Sequence, residues 1–512
     1  MIRRPPALVL ALTLALAPML SACSESPATH ATAARRAYDA MDYPTARIEA
    51  LAALDTGKLD DAAMRDLLAL LARTQLRLGD GDGAQTTVAR LEASGQHGAA
   101  VNRMKAEAAL LRNLPQQTLA MLGNDPDADA WRLRAAAYQA LGQGPSAVDA
   151  FRRGMAAGDN VQLARDYATF LMTAEDIPAA ERVLARLRRI DPGGLDAAMV
   201  EGMLYQKQGR LDAAATTYDR AIAAHPKRIE PLLERANVAD MQDQLDRAIA
   251  FAGRAAQLAP SDPRVLALQV QFASEKGDWD AVRRLLAPRE ADLDPRTPEG
   301  LAYAEALLRL GHPEQARVIF ARALLLSPQN PYARMMLAEA QLAGDDAANA
   351  LKTVQPLADS LLAGARELEL AQRAARAAGD PRADALAQRM RSARFDDNQR
   401  LARTGEAAMV RRDWPGAIEA YRALLAQGDD GEVLKRLAVA CSNAGRHREA
   451  IAYADRALAT APRDPDMVHA AGLVRLNAGE DLATARQLLR RASDSEPGNA
   501  LFRADLARAG AG

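Results

Sequence analysis

The sequence predicts an all-α solenoid built from helix hairpins, and three observations carry that prediction. One pattern is laid down twice at a fixed interval: Gly202, Tyr205, Gly209, Ala214, Tyr218, Ala221 and Pro226 recur 34 residues later as Ala236, Ala239, Asp243, Ala248, Ala252, Ala255 and Pro260. A fixed period of that size marks stacked repeats. Each block also holds two apolar stretches at helical spacing, broken near Gln208-Gly209-Arg210 and closed by a proline that cannot continue a helix. Finally, the composition is 49% hydrophobic but only 4% aromatic, which suits helices packed through small residues. At 512 residues an ordinary globular chain splits into several domains, whereas a solenoid simply lengthens.

The pattern resembles the tetratricopeptide repeat (TPR). That family has a small residue in helix A, an aromatic three further on, a Gly at the hairpin, an Ala early in helix B, an aromatic four later, then Ala and Pro. The block from Leu195 to Pro226 meets nearly all of it. Gly202, Ala214 and Ala221 take the slots where neighbouring helices cross, and a larger side chain there overpacks the contact by roughly 1 to 3 kcal/mol. Tyr205 and Tyr218 fill the gaps that the small residues leave. The resemblance implies a TPR α-solenoid superhelix of roughly a dozen hairpins.

At the N-terminus, Met1-Ile2-Arg3-Arg4 precedes an apolar run from about Ala7 to Met19 and then Leu20-Ser21-Ala22-Cys23. A charged start, a short apolar stretch and small residues before a cut site make a secretory signal, too short to span a membrane as a helix. Pro5-Pro6 do not suit twin-arginine export. Leu20 to Cys23 resemble the bacterial lipobox, which implies cleavage after residue 22 and lipidation of Cys23; several acyl chains on one cysteine anchor firmly. Ser24 stands where an Asp retains lipoproteins in the inner membrane, so the resemblance implies the periplasmic face of the outer membrane. Residues 1–22 are thus the leader and 23–33 a short polar tether.

Helical pattern begins near Ala34. Residues 34–125 read as irregular hairpins, with pairs at Ala34 to Leu54, Asp60 to Ala93 and Gly98 to Met121, the last with a short second helix from Pro115. Over 126–360 the register is clear. Trp131, Ala135, Tyr138, Gly142, Ala147, Phe151 and Gly154 follow it, with Asp159 in the Pro slot. Ala168, Ala180 and Pro192 follow, then the two blocks above, then Gly277, Trp279 and Ala281, then Ala304, Gly311, Ala316, Phe320, Ala323 and Pro328, then Ala338, Ala350 and Val354. Residues 361–394 are a degenerate helix pair that could serve as a joint. The phase returns over 395–498 with Gly405, Trp414, Ala417 and Tyr421, and runs to Gly472, Gly479, Ala485, Ala492 and Pro497 with one inserted residue near Glu480. Residues 499–512 read as a capping helix and tail.

The 65 basic and 66 acidic residues nearly cancel, which argues against general nucleic-acid binding. His30, His97, His225, His312, His447 and His469 lie singly, without zinc spacing, and no metal or cofactor is implied. Gly79-Asp80-Gly81-Asp82-Gly83 lacks the ligands of a calcium loop and reads as an interhelix turn. Cys441 reads as a small buried residue in the aromatic slot of a helix A. Arg152-Arg153 and Arg188-Arg189 read as solvated faces. There is neither a phosphate loop nor a nucleophile elbow, and repeats leave no room for a separate catalytic domain, so the expectation is a non-enzyme with no small-molecule substrate.

The TPR resemblance implies a groove lined by helix A, which takes extended peptides or partner helices. By register its residues are Arg132, Arg165, Asp196, Met199, Met203, Gln206, Glu230, Leu233, Asn237 and Asp240. Met and Leu mixed with charge suit an adaptable protein-binding surface. The clamp by which some TPR domains hold chaperone tails is not met, because Lys435 is matched by Val439 where Asn would sit. TPR lipoproteins similar to this chain serve exopolysaccharide export, including long ones of exosortase-linked systems, while others serve pilus assembly or outer-membrane protein insertion. Length favours the first. The implied partners are envelope proteins or peptide segments, with an accessory regulator of peptidoglycan enzymes as the alternative. Direct polysaccharide binding would ask for exposed aromatics, and the 7 Phe, 3 Trp and 10 Tyr mostly fall in packing slots.

Overall fold

A computed structural model describes residues 26–510. The leader and Cys23 lie outside the described residues. Two compact units divide the chain at Lys207 and Gln208. In the first, helices pair as α1 Pro27–Asp39 with α2 Tyr43–Asp55, α3 Asp61–Arg77 with α4 Gly81–Ala93, α5 Ala99–Leu111 with α6 Pro115–Leu122, α7 Ala128–Ala140 with α8 Gly144–Ala157, and α9 Val161–Thr173 with α10 Ile177–Ile190; α11 Leu195–Lys207 closes it.

The second unit opens on α12 Leu211–Ala224. Its pairs are α13 Glu230–Met241 with α14 Leu245–Leu258, α15 Pro263–Lys276 with α16 Trp279–Leu286, α17 Pro298–Arg309 with α18 Pro313–Leu326, α19 Pro331–Ala343 with α20 Ala347–Asp359, and α21 Ala365–Ala377 with α22 Arg382–Met390. Then come α23 Ala393–Val410 with α24 Trp414–Leu425, α25 Gly431–Asn443 with α26 His447–Thr460, α27 Pro465–Ala478 with α28 Leu482–Ser495, and finally α29 Ala500–Gly510. The fold is an all-α TPR-type solenoid, and no strand occurs among the described residues.

One local device recurs at the hairpins. A residue after helix A turns left-handed, and in six hairpins an aspartate follows directly as the N-cap of helix B. Gly79 (φ 73°) precedes Asp80, whose carboxylate accepts from Gly83 N, and Gly277 (φ 73°) precedes Asp278, which accepts from Ala281 N. Glycine suits this slot because it carries no Cβ to clash. Glu175 (φ 62°), Asp345 (φ 61°) and Arg412 (φ 58°) accept the same backbone without that freedom, each before a capping aspartate. The inserted residue near Glu480 is absorbed here too, with Gly479 and Asp481 both left-handed (φ 67° and 45°).

Small residues set the packing distance. A Cβ on Gly154 would stand 2.8 Å from Trp131 Cβ and from Leu163 Cδ2, and one on Gly405 2.7 Å from the Tyr421 ring. Phe151 stacks on Tyr167 at 4.9 Å, and Cys441 is fully buried in the C-terminal core. Short α6 is held from outside its own pair: Arg134 donates to the carbonyls of Leu122 (3.3 Å) and Gly123 (2.8 Å) at its C-terminus, its guanidinium lying 4.2 Å from the Trp131 ring. Carbonyls that have no intrahelical partner thereby gain a donor.

One boundary differs from the pattern. Helix α1 begins at Pro27, ahead of the expected start at Ala34, because Ser26 caps it (Thr29 N to Ser26 Oγ, 3.2 Å) and Pro27 takes the first turn, where a missing N–H costs nothing. Residues 361–394 hold α21, the short α22 and the turns around them. The Ser360 hydroxyl and Leu361 N both donate to Asp430 (2.8 and 2.7 Å), and Leu361 and Leu362 pack on the C-terminal core.

Candidate protein-binding faces of the A helices

Within each unit the register places one face of successive A helices in a row, and charge is organised along it. In the first unit, Arg132 of α7 is the hub. Its guanidinium meets Asp129 at 2.7 Å and Glu107 of α5 at 3.0 Å, and Asp166 of α9 lies at 3.8 Å. Arg165 then binds Asp166 at 2.8 Å and reaches Asp196 of α11 at 3.2 Å. A chain of alternating charge therefore crosses four successive A helices. Burial pulls the pKa of Arg132 down, but the carboxylates of Glu107, Asp129 and Asp166 more than reverse it; Arg165 is raised likewise, against burial, by Asp166 and Asp196.

The residues expected in the groove differ in burial, and Leu233 departs from the expectation because it packs into the core. In the first unit Arg132 is buried and committed to its three carboxylates, whereas Arg165, Asp196, Met199, Met203 and Gln206 are half-buried. In the second unit Leu233 is buried in a core with Ile222, Ile229 and Val265, while Glu230, Asn237 and Asp240 are half-buried. Glu230 is held by Arg228 at 2.7 Å. Asp240 faces Glu275 of α15, whose carboxyl is pushed up by partial burial and by the Asp240 charge.

The same row continues through residues that the sequence reading did not single out. Asn237 recurs at the 34-residue interval as Gln271, Glu305, Glu339 and Arg373. Arg309 joins two of these, bonding Glu305 at 3.0 Å and Glu339 at 3.5 Å, and Arg373 approaches Glu339 at 3.7 Å. The Tyr332 hydroxyl donates to Glu305, and burial with that carboxylate pushes the phenol pKa up. Between α19 and α21 the row opens into a cavity of about 500 Å³ lined by Met335, Glu339, Arg366, Glu369, Leu370 and Arg373. Counting on from Asn237 by 34 would have found Glu339 and Arg373.

Such a face is suited to binding. Among the described residues no three His, Cys, Asp or Glu side chains cluster as a metal site. Ion pairs fix long side chains in place, which lowers the entropy cost of meeting a partner, and their alternating sign selects partners by charge. Met335, Leu370 and the half-buried methionines of α11 supply apolar contact between the charges.

Family models of the tetratricopeptide repeat match residues 166–229, 199–263 and 403–465 in one case and 307–361 in another. These segments are tetratricopeptide repeats. Arrays of tetratricopeptide repeats mediate protein–protein interactions and are typically scaffolds without catalysis. Among solved structures, the chain is similar to one in the crystal structure of the APC/C hetero-tetramer Cut9-Hcn1, at 17% identity over 95% of this chain and 96% of that one, TM-score 0.36. It is also similar to PilF of Pseudomonas aeruginosa, at 16% identity over 47% of this chain and 96% of that one, TM-score 0.30. A third is YrrB, described as a TPR protein with an unusual peptide-binding site, at 18% identity over 35% and 96%, TM-score 0.26. No curated protein matches the chain.

Proposed function

We propose that the chain is a scaffold that holds polypeptide segments on the A-helix faces of its tetratricopeptide array, tethered through lipidated Cys23 to the periplasmic face of the outer membrane. The observation that carries the binding reading is the row Asn237, Gln271, Glu305, Glu339, Arg373, pinned by Arg309 and opening between α19 and α21. The anchoring reading rests on Leu20-Ser21-Ala22-Cys23 and Ser24. Its partners are envelope proteins, and exopolysaccharide export is the process that the length of the array favours.

Crosslinking and affinity capture from intact envelopes test this, with the native chain beside a Cys23→Ser form. A defined envelope partner should appear with the native chain. It should be lost when Glu339→Arg is combined with Arg373→Glu, or Met203→Asp with Asn237→Ala, and fractionation should move the Cys23→Ser form out of the membrane. A partner retained by both double variants refutes the A-face assignment. Membrane retention of the Cys23→Ser form refutes the anchor.

A further inference from the structure

We propose that a cavity between α14, α15 and α16 binds the C-terminal residue of a partner polypeptide, with its apolar side chain on the floor and its carboxylate on Arg284 and Gln269. The cavity has a volume of about 380 Å³. Its floor is apolar: Phe272 is fully buried and Ala252 almost so, with Ile249, Ala273 and Leu285 beside them. That volume lies in the range of ligand sites, which are mostly apolar with a few placed polar groups.

The repeat itself shows why the space is open. One period earlier, Asp219 on helix B reaches Arg235 on the next helix A at 3.1 Å and bridges the two. Advancing both positions by 34 residues gives Gly253 and Gln269, so both arms of the bridge are missing at this step. Later in the same register Gln355 accepts from Arg382 at 2.8 Å, and Gly253 is the one glycine in the column Asp219, Gly253, Ala287, Ala321, Gln355, Arg389. A glycine inside a helix weakens it relative to alanine. Here no neighbour demands one, since a Cβ at Gly253 would meet nothing within 4 Å. What Gly253 does is leave the cavity open.

The polar groups at the cavity divide into committed and free ones. Lys276 is paired with Asp246 at 2.8 Å, and the Asp278 carboxylate accepts from Ala281 N at 3.0 Å as the cap of α16. Among the described residues Gln269 and Arg284 have no hydrogen-bond or ion-pair partner, and the exposed Arg284 guanidinium offers a planar fork suited to a carboxylate. An internal apolar residue would fill the floor but leave the fork unused, and an acidic side chain would do the reverse. The last residue of a polypeptide carries an apolar side chain and a carboxylate on one Cα, and so satisfies both. This surface is distinct from the A-helix row, and the inference does not rest on the scaffold reading.

The test is fluorescence anisotropy with the full chain and short labelled Ser/Ala peptides that end in leucine. The peptide with a free carboxylate should bind, and its C-terminal amide should bind about tenfold more weakly, as should the acid to Arg284→Gln, because a charge-assisted pair is lost. Gly253→Asp combined with Gln269→Arg transplants the bridge of the preceding step and should abolish binding while keeping the unfolding temperature. Equal binding of acid and amide, or binding undisturbed by the transplanted bridge, overturns the proposal. So does an absence of peptide binding, including the case in which octanoate alone occupies the cavity.

Discussion

Gly472 in α27 and Gly253 in α14 both stand inside helices of the second unit, yet alanine should act on them with opposite sign. A Cβ at Gly472 meets Leu489 Cγ at 2.9 Å, Leu489 N at 3.1 Å and Ala485 O at 3.2 Å, and Leu489 is fully buried. Two of those three atoms are backbone of α28 and cannot swing aside. At Gly253 nothing lies within 4 Å. Both substitutions recover about 0.8 to 1 kcal/mol of helix propensity. Only Gly472→Ala also incurs overpacking, of about 1 to 3 kcal/mol. Gly253→Ala should therefore stabilise by about 1 kcal/mol, and Gly472→Ala should lose up to about 2 kcal/mol; the propensity term cancels between them, so their difference reads the packing term alone. Urea midpoints at unchanged slope measure it. Equal midpoints for the two variants would refute the claim that small residues set the approach of α27 and α28.

Three further outcomes follow from the same reasoning. Asp243→Gly places glycine where φ is 57°, in the slot that Gly209 (70°) and Gly277 (73°) fill one period either side, and should raise stability by about 1 kcal/mol in thermal unfolding; a lower unfolding temperature would sink the hairpin argument. Arg132→Met keeps an unbranched stem but strips the countercharge from Glu107, Asp129 and Asp166, and should cost about 3 to 5 kcal/mol as one partner lost from a buried pair. A loss below about 1 kcal/mol would show that the ladder is ornamental. The Asp294 carboxyl, bonded by the Arg296 guanidinium and its backbone N–H, should titrate by NMR at about 2, below the ordinary 3.8. Its folded pKa is depressed, so its contribution is present above about pH 4 and is lost as the pH falls towards 2, and Asp294→Asn should remove that dependence; with side chains 40% and 37% exposed the amount stays below about 1 kcal/mol.

The fold was legible because the helix hairpin is specified locally and many times over. Gly79, Gly142, Gly209, Gly277, Gly311 and Gly445 all mark hairpin turns, and each turns left-handed in the structure. Ends governed by one cap were less legible. The start of α1 depends on Ser26 and Pro27 rather than on apolar spacing, so periodicity alone placed it late. Arg134 could not be read at all, because its role is to supply donors to the end of α6, and no repeat rule links residue 134 to residues 122 and 123.

The candidate site was legible only as far as the period was followed. Register put Arg132, Arg165 and Asp196 on one face, and the structure shows why these residue types stand there: Arg132 lies between the carboxylates of Glu107 on α5 and Asp166 on α9, and Arg165 joins Asp166 of its own helix to Asp196 on α11. A repeat imposes this geometry, since equivalent positions on successive A helices face each other at every step and unlike charges there are drawn together. The same logic gives departures from the period their meaning. Asp219 and Gln355 reach across to the next pair, and the glycine in the same column leaves that space open. Gly253 is such a departure, and the bridge absent there is spelled out one period earlier by Asp219 and Arg235. In a chain made of copies, the residues that fail to copy are the ones to examine for function.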